Sequence, residues 1–326
     1  MTNPTSQEPD EKFQAMVKQR FKGQPHEICD LGARIVVGRN TPTSPVDGEA
    51  LLREAAAQGC AEAWGYLSVL AASGVGRSQS WSDALDYLNT AATLGASGAQ
   101  KNIDLLRTNL LGSSEAVNRW LNAAPTTTEL NVSPPFSSHS EFIPADFCRH
   151  LMRTSESRLK RAQVRDAKTG HLKIDPMRTN SSAAYSLIDT DLIFQLIRAR
   201  IAQLAQVNVS QLEPSEILHY SVGEQYQLHI DFYHASRSNY AEEMRIRGQR
   251  IKTCLIYLNQ NYEGGSTAFP QLNLRFRGLS GEALLFSNVD DQGAGHMKTI
   301  HAGEPVIQGK KWIFSQWIRD KAQVIS

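Results

Sequence analysis

His229 and Asp231 stand two residues apart in "YQLHIDFYH" (226–234), a run apolar and aromatic enough to be a β-strand. Side chains two apart in a strand share a face, so an imidazole and a carboxylate are predicted to project together. That is two thirds of a donor set in which two imidazoles and one carboxylate bind one face of a metal ion. Such a set leaves other coordination positions free and is the arrangement of non-haem iron oxygenases. The third ligand is expected from a later strand, with His296 and His301 in "GAGHMKTIHAGEPVIQGKKWIFSQWI" as the candidates. Lys310 and Lys311 follow His301. A cation about one strand and turn beyond a metal histidine could hold the far carboxylate of a dicarboxylic cosubstrate. His219 and His234 are expected to be non-ligands, because strand alternation turns 219 away from Tyr220 and places 234 opposite His229.

The elements around these residues are short. From Glu216 onward come the β-rich runs "EILHYSV", "YQLHIDFY", "KTCLIYLN", "EALLFSNV", "EPVIQG" and "KWIFSQWI", separated by Gly-containing turns. Before them, "IPADFCRHLMRTSESRL" and "DTDLIFQLIRARIAQLA" have the apolar spacing of amphipathic helices. Helices followed by many short strands predict an α+β domain with a β-sandwich or barrel core.

The N-terminal half has a different texture. Residues 50–67 match residues 86–103 with a shift of 36: Leu52 with Leu88, Ala55 and Ala56 with Ala91 and Ala92, Gly59 with Gly95, Ala63 with Ala99. Each copy reads as a helix, a glycine able to take the left-handed conformation, and a second helix packed closely through small residues. A period in the thirties predicts a helical solenoid. The segment 123–140, "AAPTTTELNVSPPFSSHS", is rich in Pro, Thr and Ser and is predicted to be a linker. Residues 1–47 are predicted to be an extension with one helix near 10–20, then a Pro/Thr/Gly-rich stretch.

Bulk composition narrows the partners. Lys plus Arg total 34 against 33 Asp plus Glu, which supplies no electrostatic reason for a nucleic-acid or membrane partner. No run of about 18 apolar residues suggests a membrane span, and the polar start "MTNPTSQEPDEKFQ" lacks the apolar stretch of a signal peptide. Cys29, Cys60, Cys148 and Cys254 are scattered without a CxxC pair, as expected of reduced thiols in a cytoplasmic protein.

"HYSVGEQYQLHIDFY", "YLNQNYEGGSTAFP" and "IHAGEPVIQGKKWIFSQWI", with "RTNSS" (178–182) upstream, resemble the signature blocks of the prolyl 4-hydroxylase family. These are 2-oxoglutarate- and Fe(II)-dependent dioxygenases. Residues 48–108 in turn resemble the Sel-one-like branch of the tetratricopeptide repeats. Together the resemblances imply an α+β chain with a double-stranded β-helix (jelly-roll) catalytic domain over 141–322. A small all-α helical-repeat domain over 48–122 would precede it, joined through the linker.

The family pattern makes His229, Asp231 and His301 the iron ligands. It pairs Lys311, ten residues after the distal histidine, with the C5 carboxylate of 2-oxoglutarate, and lets Tyr220 and Thr267 hydrogen-bond the same end. Tyr226, Arg250 and Trp317 correspond to positions lining the peptide channel; Arg178 is expected to be a surface residue flanking a helix and is left out of the site. Two departures, Arg319 in place of a common histidine and His296 in place of a carboxylate, bear on the substrate side.

The implied cofactors are Fe(II), 2-oxoglutarate and O2, with ascorbate as an auxiliary candidate. The implied reaction is hydroxylation of an unactivated C–H, with release of succinate and CO2. Asp231 occupies the position where related halogenases have a small residue, which points to hydroxylation. A prolyl residue in a peptide or protein is the leading substrate, and the repeats are the expected surface for a protein partner. A free amino acid or small natural-product intermediate is the alternative, and a repeat-based adaptor with a silent oxygenase fold is the third reading.

Overall fold

The computed structural model describes residues 24–109, 111–165, 172–234 and 240–323; the helix expected near 10–20 lies outside them. The chain divides into two compact units, one holding residues up to Ala123 together with Tyr185–Arg200, the other Ala124–Ala184 together with the chain from Ile201 onward.

The first unit is helical: α1 (Pro25–Val37), α2 (Pro45–Ala57), α3 (Ala61–Ser73), α4 (Trp81–Thr93), α5 (Ala99–Thr108) and α6 (Ser114–Asn122). The 36-residue match appears as two identical helix ends. After α2 the Gly59 N–H donates to the Ala56 carbonyl and the Cys60 N–H to Ala55. After α4 the Gly95 N–H donates to Ala92 and the Ala96 N–H to Ala91. These are Schellman closures. Gly59 and Gly95 sit at φ 89° and 84°, where a side chain would be strained although nothing crowds either position.

The helical unit departs from expectation in two ways. Residues 25–37, for which no element is predicted, form helix α1. Pro25 and Gly32 look like breakers, but Pro25 is at the first turn, where its missing N–H costs nothing, and Ile28, Leu31, Ile35 and Val36 face the core. The unit is also not one continuous segment. Leu187 and Ile188 pack against its apolar cluster, and Arg39 pairs with Asp189 at 2.6 Å.

In the second unit the expected linker folds as a hairpin, β1 (Thr126–Asn131) and β2 (Phe136–Ser140). Strand β1 is a sheet edge with no buried residue, which is why its composition looks like that of a linker; in β2, Phe136 enters the core. The strands that follow are β3 (Lys160–Arg161), β4 (Val164–Arg165), β5 (Leu172–Lys173), β6 (Ser181–Tyr185), β7 (Ser215–Tyr220), β8 (Tyr226–His229), β9 (Arg250–Tyr257), β10 (Tyr262–Gly264), β11 (Thr267–Phe269), β12 (Leu274–Phe276), β13 (Ala283–Ser287), β14 (His301–Gly303), β15 (Val306–Gly309) and β16 (Lys311–Arg319). Helices α7 (Ala145–Ser155) and α9 (Ala241–Arg247) interrupt them, and α8 (Leu192–Ala205) begins in the first unit and ends in this one.

The strands build a double-stranded β-helix. Its large sheet runs β1-β2-β13-β9-β16-β7-β6-β3 and its small sheet β12-β11-β14-β8, with β10-β15 and β4-β5 as separate pairs. Phe136, Phe269 and Phe286 form one aromatic nucleus: Phe136 stacks on Phe286 with centroids 5.1 Å apart, and Phe269 meets Phe136 edge-on at 4.7 Å. The run 226–234 is not one long strand. β8 stops at His229, and Asp231 lies in the bend beyond it. Among the described residues no helix is long and apolar enough to cross a membrane.

Candidate metal centre

Antiparallel pairing of β14 with β8 sets His301 directly opposite His229, so the rings come within 4.2 Å, centroid to centroid. Asp231 returns its carboxylate to the same point, and one donor atom from each residue lies within 4.8 Å of the others. The Nδ1 of His229 is 2.8 Å from the Gln227 carbonyl and that of His301 is 2.9 Å from the Thr299 carbonyl. A carbonyl can only accept, so both Nδ1 atoms carry a proton and Nε2 is in each ring the atom turned to the shared point. Those Nε2 atoms face the two oxygens of Asp231, at 3.7 and 3.8 Å.

The electrostatics agree with that geometry. Burial, reinforced by His301, brings His229 down to about 3, so its imidazole stays neutral. Burial alone would raise Asp231, but its neighbours, the Arg250 guanidinium and the Thr253 hydroxyl among them, hold its carboxyl below the ordinary range. Two imidazole lone pairs and one carboxylate, partly wrapped and pointing at one spot, fit a divalent transition metal such as Fe(II). The carbonyl behind each imidazole is the outer support that metal-binding histidines usually have.

The donor set opens into a cavity. Alternation along β16 turns Lys311, Ile313, Ser315 and Trp317 into it, and Tyr220 of β7 and Thr267 of β11 line the same space. Lys311 is buried with its ammonium 5.1 Å from the Tyr220 ring and 5.7 Å from that of Tyr257. No carboxylate pairs with it among the described residues. Burial therefore depresses its pKa to about 7, with Glu304 pulling weakly the other way. Lys310, its competitor in the sequence, is exposed. The Thr267 hydroxyl is 2.6 Å from the buried hydroxyl of Tyr257, whose place in the sequence is that of an ordinary strand former.

Tyr226 lies flat against His229, centroids 3.6 Å apart and 13° between planes, and the Arg178 guanidinium sits 4.9 Å over the Tyr226 ring. Arg178, expected to be a surface residue flanking a helix, instead faces the cavity. It is buried, lines the cavity, and is held by Glu216 at 3.0 Å and the Gln163 carbonyl at 3.1 Å. Its one signal in the sequence is the "RTNSS" block.

Trp317 lines the cavity, whereas Arg250 does not. The Arg250 guanidinium lies 4.0 Å over Trp317 and grips Glu213 at 2.7 and 2.9 Å. Arg319 joins the same Glu213 and also pairs with Glu243 at 2.8 Å. Burial opposes ionisation of Glu213, but Arg250 and Arg319 bring its carboxyl down to about 2. His296 caps a short turn before β14, and His219 packs on Trp312 at 4.5 Å. Among the described residues neither these nor the exposed His234 joins the donor group.

Residues 215–319 match the family model described as the 2OG-Fe(II) oxygenase superfamily. The chain is 32% identical over 169 residues to prolyl 4-hydroxylase subunit alpha-1 of Gallus gallus, a match covering 52% of this chain and 32% of that one. It is 29% identical over 213 residues to probable prolyl 4-hydroxylase 3 of Arabidopsis thaliana, covering 59% and 71%. It thus spans about a third of the chicken subunit. The viral collagen prolyl hydroxylase of Paramecium Bursaria Chlorella virus-1, solved as a 2OG complex, is 20% identical with a TM-score of 0.44, over 56% of this chain and 94% of that one. The chain carries a 2OG-Fe(II) oxygenase domain and has prolyl 4-hydroxylases among its homologues.

Proposed function

We propose that this chain, with its 2OG-Fe(II) oxygenase domain, is a 2-oxoglutarate- and Fe(II)-dependent dioxygenase that hydroxylates a prolyl residue in a peptide or protein. The observation that carries the reading is one cavity with a two-imidazole, one-carboxylate set at one end and, among the described residues, an unpaired buried ammonium at the other. A dicarboxylic keto acid matches both ends. In this reading His229, Asp231 and His301 hold Fe(II), which with 2-oxoglutarate and O2 supplies the oxidant for C–H hydroxylation, with release of succinate and CO2.

The residues of the chain position and shield. Lys311 receives the distal carboxylate, and Tyr220 and Thr267 offer hydroxyls beside it. The apolar walls contributed by Leu218, Leu255 and Ile313 limit water at the reacting end. Tyr226, Trp317 and Arg178 border the side from which a substrate approaches, while Arg250 acts through Trp317. The substrate class rests on homology, since both relatives are named for prolyl 4-hydroxylation. Recognition of a macromolecular substrate is assigned to the helical repeats, whose stacked helices offer an extended surface.

Succinate formation from 2-oxoglutarate, measured with Fe(II) and ascorbate against proline-containing peptides and against free amino acids, tests the assignment. Peptide-dependent turnover with a gain of one oxygen on proline is expected. Turnover with free amino acids alone would overturn the peptide assignment, and no turnover with any 2-oxoglutarate pairing would overturn the reaction class.

A further inference from the structure

Behind Asp231 lies a polar chain that neither the metal nor the cavity uses. The Thr253 hydroxyl donates to Asp231 Oδ2 at 2.7 Å, and the Asn288 amide nitrogen donates to the same hydroxyl at 2.9 Å. Thr253 and Asn288 are both fully buried. Their meeting follows from sheet register. Thr253 of β9 stands between Phe286 of β13 and Trp317 of β16, and Asn288 is two residues past Phe286, diagonal to Thr253 on the same face. The backbone around Asn288 is fixed as well: its N–H donates to the Ile251 carbonyl at 2.8 Å, and its carbonyl accepts from the His296 N–H at 2.8 Å.

The direction of every proton in this chain is determined. The Thr253 hydroxyl gives its single proton to Asp231 Oδ2. The Thr253 oxygen must then receive a donor, so Asn288 presents its nitrogen. That orientation leaves the buried Asn288 Oδ1 without a partner. A flipped amide would offer Thr253 an acceptor and draw its proton away from Asp231.

We propose that Thr253 and Asn288 are positioning residues for the metal centre. Asn288 sets the hydroxyl rotor of Thr253, and Thr253 holds the plane of the Asp231 carboxylate against the two Nε2 atoms. Residues of this kind, one bond removed from a metal, typically change affinity about 10–100-fold when lost. The proposal rests on the assignment of His229, Asp231 and His301 as metal ligands.

The test is Co(II) binding to the metal-stripped full-length chain, measured by titration calorimetry alongside thermal unfolding. Thr253→Val, close in shape but without a hydroxyl, is expected to weaken Co(II) binding about 10–100-fold while Thr253→Ser restores it. Asn288→Ala is expected to weaken binding less, and adding it to Thr253→Val to cost nothing further, because Asn288 acts only through the hydroxyl. Unchanged affinity in Thr253→Val, or losses that simply add in the double variant, would overturn the relay while leaving the ligand assignment standing. Failure of the wild-type chain to bind Co(II) would instead overturn the ligand assignment and the relay with it. Should Thr253→Val not fold, Asn288→Ala decides alone: weakened Co(II) binding in a folded chain supports the relay, and unaffected binding contradicts it.

Discussion

The two ends of the cavity are built on opposite principles. At the metal end the imidazole and carboxylate groups have protein partners of their own: carbonyls on both Nδ1 atoms, Thr253 on Asp231, and a stacked Tyr226 against His229. At the lysine end, Lys311 is buried among Tyr220 and Tyr257 with no counter-charge among the described residues. A charge enclosed without a partner costs stability unless something supplies one. The donor side chains of the first end are held in place by protein partners, whereas Lys311 has no such partner among the described residues. Under the proposed function, that difference makes the donor group the pre-arranged end and Lys311 the end that depends on its ligand.

Breaking the pre-arranged end should have the largest effect. His229→Ala or Asp231→Ala is expected to abolish Fe(II)-dependent succinate formation, read by direct product assay, with thermal unfolding showing a folded chain. An active Asp231→Ala enzyme would contradict the ligand set.

Breaking the ligand-dependent end should be milder and should show in affinity. Lys311→Ala removes a charge-assisted contact of roughly 1.5–3 kcal/mol, so 2-oxoglutarate affinity is expected to fall about 10–150-fold, with metal affinity unchanged. The depressed pKa of Lys311, about 7, gives this end a pH signature. Above that value the empty lysine is increasingly neutral, so 2-oxoglutarate binding should weaken as pH rises through about 7 and should take up a proton, detected by calorimetry in buffers of different ionisation enthalpy. For the empty protein the sign is reversed. Between about 7 and the ordinary lysine range the unfolded chain binds the extra proton, so stability should rise with pH, and Lys311→Met should flatten that slope.

The smallest expected effect sharpens the comparison. Tyr226→Ala removes a stack worth about 0.5–1.5 kcal/mol and should weaken metal binding by about 2–10-fold, whereas Tyr226→Phe keeps the stack and should be neutral. A larger effect on 2-oxoglutarate than on metal would move Tyr226 to the other end of the cavity.

Legibility in the amino-acid sequence divides between local pattern and distant pairing. Residues whose chemistry is unusual in a strand, His229 and Asp231, are visible singly, and their distant partners through the spacing of three blocks. The repeated helices are visible because helix, glycine and helix are local patterns, closed by the same hydrogen bonds after Ala57 and Thr93.

What the sequence hides depends on non-local pairing. β14 has only three residues, too few for a period, yet its register against β8 is what brings His301 opposite His229. Asp231 reaches the two histidines from a bend rather than from the predicted strand. Arg178 looks like a surface cation until Tyr226 and Glu216 are folded against it. Thr253 looks like any strand former. The β1–β2 hairpin is polar because one of its strands is an edge, and edge strands lack the apolar alternation that announces buried ones.

The claim that both ends grip one dicarboxylic ligand is tested most directly by anaerobic calorimetric titration of 2-oxoglutarate into the wild-type, Asp231→Ala and Lys311→Ala chains, each with and without Fe(II). Strong binding is expected only where Fe(II), Asp231 and Lys311 are all present, with each single loss weakening it. Equal binding to the metal-free wild type and to both variants would contradict the two-ended grip.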